Sequence, residues 1–168
     1  MKYLISCNLT DESIENLNYF QSQNIKSFKN LKSKQNFFIP ILSLNYEHYT
    51  KIKNSIFENL SKIQTFRVNI SNIKQDLTKN IYLLIEPKGF LSTIQRILEE
   101  ELILNDIKNY EKLNKWNYFY IDYMSFNKIN INLNNILFPN YIKINSLNIL
   151  KHNHKKNNLI DSIQFKNI

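Results

Sequence analysis

The chain has 168 residues, 43% of them hydrophobic, which is enough for one ordinary domain with a real core and excludes a wholly disordered chain. Its net charge is +8, yet only Arg67 and Arg96 are arginines among 22 basic residues, so the charge favours polyanions in general and disfavours bidentate phosphate recognition. Cys7 is the single cysteine, which excludes an intrachain disulfide and a cysteine-built metal site. No stretch reaches the ~20 apolar residues of a membrane span. The apolar part of Met1 to Cys7 is too short for a signal peptide, so a soluble, cytoplasmic protein is expected, without a membrane partner. Abundant Lys, Asn and Ile are also what AT-rich codons supply, an explanation of the charge that competes with function.

In chain order, Tyr3 to Leu9 reads as a strand. Thr10 or Asp11 then caps a helix with Asp11, Glu12 and Glu15 in its first turn and Ile14, Leu17 and Phe20 as its buried stripe. Residues 25 to 35 read as a basic loop carrying Lys26, Lys29, Lys32 and Lys34, either solvated or facing phosphate. Asn36 to Leu44 is a nearly unbroken apolar run, the signature of a strand buried on both faces. Pro40 removes a ladder donor within it, so a bulge or an unpaired edge is expected there.

Glu47 to Ile63 reads as a helix with Ile52, Ile56, Leu60 and Ile63 on one face. Phe66 to Ile70 and Ile81 to Ile85 read as strands, the second closed by a turn holding Gly89, the only glycine. Leu91, Ile94, Leu98 and Leu102 mark a third helix, and Glu99 to Glu101 its solvated face. Residues 105 to 115 are polar, with room for one helical turn. Tyr118 to Met124 is a second apolar strand, and Asn127 to Asn140 an Asn-rich surface excursion. Tyr141 to Leu150 and Leu159 to Phe165 close the chain as strands, joined by a basic turn over 151 to 157. The expected fold class is α+β, with antiparallel sheets around a central cleft and helices packed outside. No composition break divides the chain, so residues 1 to 168 are read as a single domain of two pseudo-symmetric lobes.

This order of elements resembles the two-histidine (2H) phosphoesterases, in particular the bacterial 2′-5′ RNA ligase and RNA 2′,3′-cyclic phosphodiesterase group. The likeness runs from "MKYLISCNLTDESIENLNYFQS" through "NFFIPILSL" and "FRVNISNI…NIYLLIEP…LSTIQRILEEEL" to "WNYFYIDYMSF" and "INSLNILKHN…LIDSIQF". It implies a two-lobed fold and two His-x-Thr motifs, one on each cleft strand. Their imidazoles serve as base and acid across a phosphodiester, and their threonines hold phosphate oxygens.

Here both motifs are degenerate. The first falls on Phe38 and Pro40, the second on Tyr120 and Asp122, the register that turns Asp122 toward the cleft rather than into the core. The resemblance therefore implies a catalytically inactive protein that binds RNA or nucleotides in a basic, aromatic-lined cleft. Phe38, Pro40, Tyr118, Tyr120 and Asp122 would line it and Lys29, Lys32 and Lys34 would form its rim, with Tyr123 a further aromatic face. An alternative is a scaffold for a protein partner, its cleft plugged by aromatics. A third reading is an active phosphodiesterase with Asp122 as base and Tyr120 as acid. No cofactor or metal is expected. His152 and His154 have the spacing of one strand face but no cysteine or carboxylate beside them, and are read as exposed turn residues.

Overall fold

The computed structural model describes residues 2–128, 131–153 and 156–167, with Asn153 described by its backbone alone. Strand β1 (Lys2–Leu9) leads into helix α1 (Asp11–Ser27). Thr10 is its N-cap, with Oγ1 accepting from the Ser13 N–H at 3.3 Å. The buried stripe differs from the expected one: Ser13, Leu17, Gln21 and Asn24 face inward, while Ile14 is half-buried against the core. Polar residues survive there because each finds a backbone partner. Gln21 Nε2 donates to the Tyr123 carbonyl, and Ser13 Oγ accepts from the Lys143 N–H at 2.8 Å. Asn24 exchanges a pair of bonds with Leu137, donating to its carbonyl at 2.7 Å and accepting from its N–H at 2.8 Å.

The basic stretch expected as a loop is structured at both ends. α1 runs through Ser27, and Leu31–Ser33 forms a short strand β2 paired with Met124 to Phe126. β3 (Phe38–Asn45) follows, then α2 (Tyr46–Leu60), which buries Tyr49, Ile52, Ile56 and Leu60. Ile63 is buried but lies beyond the helix end. Next come β4 (Phe66–Asn69), β5 (Asn72–Gln75) and β6 (Asn80–Ile85). β5 is missed by sequence reading because its four polar-flanked residues show no alternation. Helix α3 (Gly89–Leu104) buries the four expected leucine and isoleucine positions. Glu99 and Glu100 lie on its outer side, pairing Lys112 and Arg96, each at 2.9 Å.

Where one helical turn was expected, Tyr110–Lys112 forms strand β7, edge-paired to Leu42–Leu44 of β3. The chain then runs through β8 (Phe119–Phe126), β9 (Tyr141–Asn153) and β10 (Lys156–Gln164). The basic segment after Leu150 is thus mostly strand: β9 continues through it and β10 begins at Lys156. Pairing supplies the order, since Lys151 and His152 face Asn158 and Asn157 across the hairpin.

The two sheets are antiparallel. One has the order β10-β9-β1-β3-β7, with β4 joined to β9; the other has the order β2-β8-β6-β5. α2 packs on β1 and β3 and against α3, while α1 packs on β2 and β9. The buried apolar residues form one continuous cluster drawing on both sheets and all three helices. The architecture is α+β with two lobes, and β3 and β8 are the strands that approach each other between them.

Candidate functional site: an aromatic cleft between two bulged strands

Each cleft strand carries a bulge at the equivalent point. Between β1 and β3 the register jumps from Ile5↔Leu42 to Ser6↔Pro40, leaving Ile41 as the extra residue. Between β6 and β8 it jumps from Ile81↔Met124 to Tyr82↔Asp122, leaving Tyr123 extra. An inserted residue shifts the two-residue side-chain period by one. Phe38, Pro40 and then Ser43 therefore share the cleft face of β3, while Ile39, Ile41 and Leu42 are fully buried. On β8, Tyr120 and Asp122 face the cleft while Ile121 and Tyr123 go into the core. The bulge expected from Pro40 is present beside it, and Asp122 faces the cleft rather than the core, as expected.

The cleft between these strands measures about 410 Å³ and is open to solvent. Phe38, Pro40, Tyr120 and Asp122 all line it, joined by Tyr82, Glu111 and Lys2, which sequence reading missed. Tyr82 is reachable only through its pairing with Asp122, and Glu111 only through the short strand β7. The rings of Tyr82 and Tyr120 meet edge to face at 5.4 Å. Lys115 Nζ lies 4.4 Å from the centre of the Tyr82 ring and 5.6 Å from that of Tyr120.

Charge at the cleft is balanced rather than basic. Lys34 Nζ stands 3.4 Å from Asp122 Oδ2, and Lys2 Nζ 3.5 Å from Glu111 Oε2. Lys29 and Lys32 are exposed and lie off the cleft lining, as does Tyr118, held in a tight turn by reciprocal backbone bonds with Lys115 at 2.9 and 3.0 Å. Trp116 and Asn117, at the tip of that turn, have φ of 51° and 65°. This is the left-handed pair that a two-residue hairpin turn requires, an unfavourable conformation for tryptophan.

Burial pushes the Asp122 carboxyl above its ordinary value, with Lys34 offsetting part of the effect. Its Oδ1 is buried without a hydrogen-bond partner among the described residues. Burial, then the nearby Asp122 and Glu111 charges, push the Tyr120 hydroxyl up as well. Behind them, burial opposes ionisation of Asp76, but hydrogen bonds from Thr78, Tyr82 and Asn80 and the charge of Lys115 outweigh it and hold the carboxyl low.

Among the histidines, His152 reaches the cleft from β9 rather than from a turn, with Nδ1 2.8 Å from Asn157 Oδ1. His48 lies in the first turn of α2, off the cleft, and His154 falls outside the described residues. Among the described residues no group of three His, Cys, Asp or Glu side chains is placed to hold a metal, and no helix is long and apolar enough to cross a membrane.

Sequence comparison finds no matching family model and no matching curated protein. Structural comparison finds clear similarity. Escherichia coli LigT in its apo form matches with a TM-score of 0.68 at 8% identity, covering 98% of this chain and 97% of that one. TT0787 of Thermus thermophilus matches at 0.65 and 14% identity over 98% and 97%. The MHV ns2 PDE domain matches at 0.59 and 15% over 98% and 99%. LigT structures complexed with 3′-AMP and with ATP match at 0.64 and 0.60. With almost the whole of each chain superposed, this chain has the two-lobed 2H phosphoesterase fold.

Proposed function

We propose that this chain is a non-catalytic member of the fold that binds a nucleotide or the end of an RNA strand in its cleft. The observation that carries this reading is an open cleft walled by Phe38, Tyr82 and Tyr120, with aromatic rings at the two strand positions where the resemblance implies imidazoles. Aromatic faces stack on bases at ~1–3 kcal/mol each. The nucleotides bound by LigT, which shares the fold, support this class of ligand.

An acid–base pair built from Asp122 and Tyr120 suits the chemistry poorly. A tyrosine pushed above its ordinary 10 is a weak proton donor near neutrality. Pro40 offers neither a hydroxyl nor an N–H to phosphate oxygens. Lys29 precedes β2 and Lys32 lies within it, next to the segment that brings Lys34 to Asp122, and they give an emerging RNA backbone its counter-charge. Cys7 is free and buried, which suits a reducing, cytoplasmic setting.

Fluorescent RNA oligomers, one with a free 3′ end to read binding and one ending in a 2′,3′-cyclic phosphate to read turnover, test the reading directly. Binding should be salt-sensitive, and the Lys29→Ala/Lys32→Ala double variant should lower the salt slope by ~0.7 for each phosphate that is no longer neutralised. The cyclic-phosphate oligomer should be recovered intact across the pH range. Turnover abolished by Asp122→Asn would sink the non-catalytic reading. Absence of RNA and nucleotide binding, with a protein captured instead, would favour the scaffold alternative.

A further inference from the structure

The cleft continues into a second hollow of about 230 Å³ along the inner face of the larger sheet, and the two share Asn36, Phe38 and Asn157. None of the residues lining this second hollow carries a charge; Ser6, Asn8, Gln35 and Asn148 supply its polar groups. Register explains the row: Ser6 of β1 pairs with Asn148 of β9, whose amide oxygen accepts from Ser162 Oγ of β10 at 2.9 Å. Ser6 Oγ is buried without a partner among the described residues. The combined space is thus walled by aromatic rings at one end and by amides and hydroxyls at the other.

Its electrostatics disfavour an anion. Asp122 stands between the walls, and its paired cation is Lys34 at 3.4 Å; Lys115, over the Tyr82 and Tyr120 rings, is paired instead with Asp76 at 3.5 Å. A phosphate entering the cleft must either sit beside the Asp122 carboxylate or draw Lys34 away from it. The second choice strands a carboxylate whose Oδ1 already lacks a partner among the described residues. Lys2 is likewise committed to Glu111. Neither arginine is at hand, because Arg67 is stacked 4.2 Å from the centre of the Tyr141 ring and Arg96 is paired with Glu100 on α3. A neutral ring with N–H donors incurs none of these costs and gains an acceptor in Asp122 Oδ2.

Resting on the nucleotide-binding reading above, we infer that the cleft takes the uncharged nucleoside portion of its ligand and keeps phosphate outside. The base lies against Phe38 and Tyr120, the ribose hydroxyls meet the amides of Asn36, Asn148 and Asn157, and the phosphates point outward.

Calorimetric titration of the full chain with the four ribonucleosides, their 5′-monophosphates and inorganic phosphate tests this. At least one nucleoside should bind no more weakly than its monophosphate. Its affinity should hold constant as salt is raised, and inorganic phosphate should not displace it. Asp122→Asn should raise the affinity for the monophosphate relative to that for the nucleoside about tenfold, because a like charge has been removed. If that variant does not fold, Asn36→Ala and Asn157→Ala, both at exposed positions, should weaken nucleoside and monophosphate equally. A monophosphate binding tenfold or more tighter than its nucleoside, or displacement by inorganic phosphate, overturns the inference and leaves nucleotide binding standing. Failure of every ligand to bind overturns both.

Discussion

At the scale of single residues, the polar groups in the interior are the informative ones. Asn24 acts as a piece of backbone, satisfying both the N–H and the carbonyl of Leu137 from within α1. Asn24→Ala leaves the Leu137 N–H unpaired and its carbonyl with the Tyr123 hydroxyl alone, at 2.8 Å, and a loss of about 1–3 kcal/mol is expected in urea unfolding. Tyr49 is 2% exposed, and its hydroxyl donates to Asp161 Oδ2 at 2.7 Å, where Lys53 also pairs at 2.9 Å. Tyr49→Phe removes a hydrogen bond to a charged group and should cost about 1.5–3 kcal/mol in the same measurement. Neither partnership is readable from the sequence. Asn24 and Leu137 stand 113 positions apart, Tyr49 and Asp161 112. No local pattern spans such a distance. The facing of Phe38 and Asp122 is legible only through the resemblance, which places the degenerate motifs on them; the apolar runs that carry them have little alternation of their own.

At the scale of elements, two backbone devices are informative, and the first of them sets the site. The bulges at Ile41 and Tyr123 follow directly on the residues that face the cleft, and each lets its strand turn one face to solvent and the rest to core. Pro40 announces the first; nothing in the sequence announces the second, because Tyr123 is an ordinary strand former. The other device is the turn before α3. Gly89 has φ of +63°, and a Cβ added there meets no heavy atom within 4 Å. Gly89→Ala therefore tests backbone strain alone, and thermal unfolding should show a loss of about 1–2 kcal/mol. The three-residue strands β2 and β7 escape sequence reading for a common reason. Edge strands this short are defined by their partners, β8 and β3, and not by their own composition.

At the scale of the whole molecule, the continuous core predicts one cooperative unfolding transition for the single-domain reading, with circular dichroism and Trp116 fluorescence changing together. Two separated transitions would divide the chain instead. Acid response follows from three carboxylates. Burial works against ionised Asp161, but Tyr49 and Lys53 outweigh it and hold its pKa below the ordinary 3.8; Asp76 behaves alike. Both contribute stability that is present above 3.8 and lost as pH falls through their folded values. Asp122 has the opposite sign: its raised value makes the folded state less stable as pH climbs from 3.8 through that value. Unfolding measured against pH should show Asp161→Asn flattening the acid loss and Asp122→Asn removing the opposing drift. The reverse assignment would contradict the described environments.

By itself the sequence determined the α+β class, the three helices, the two cleft strands and the absence of histidine from the positions facing each other across the cleft. The first two rest on periodicity and side-chain identity, which are local, and the facing positions on the resemblance in element order. Only the tertiary structure decided the character of the site. It left the cleft open and brought Lys34 onto Asp122, Lys2 onto Glu111, and Tyr82 beside Tyr120. A basic composition thereby became a nearly neutral cleft, because charge in a site depends on which residues converge there, and pairing between distant strands makes that choice.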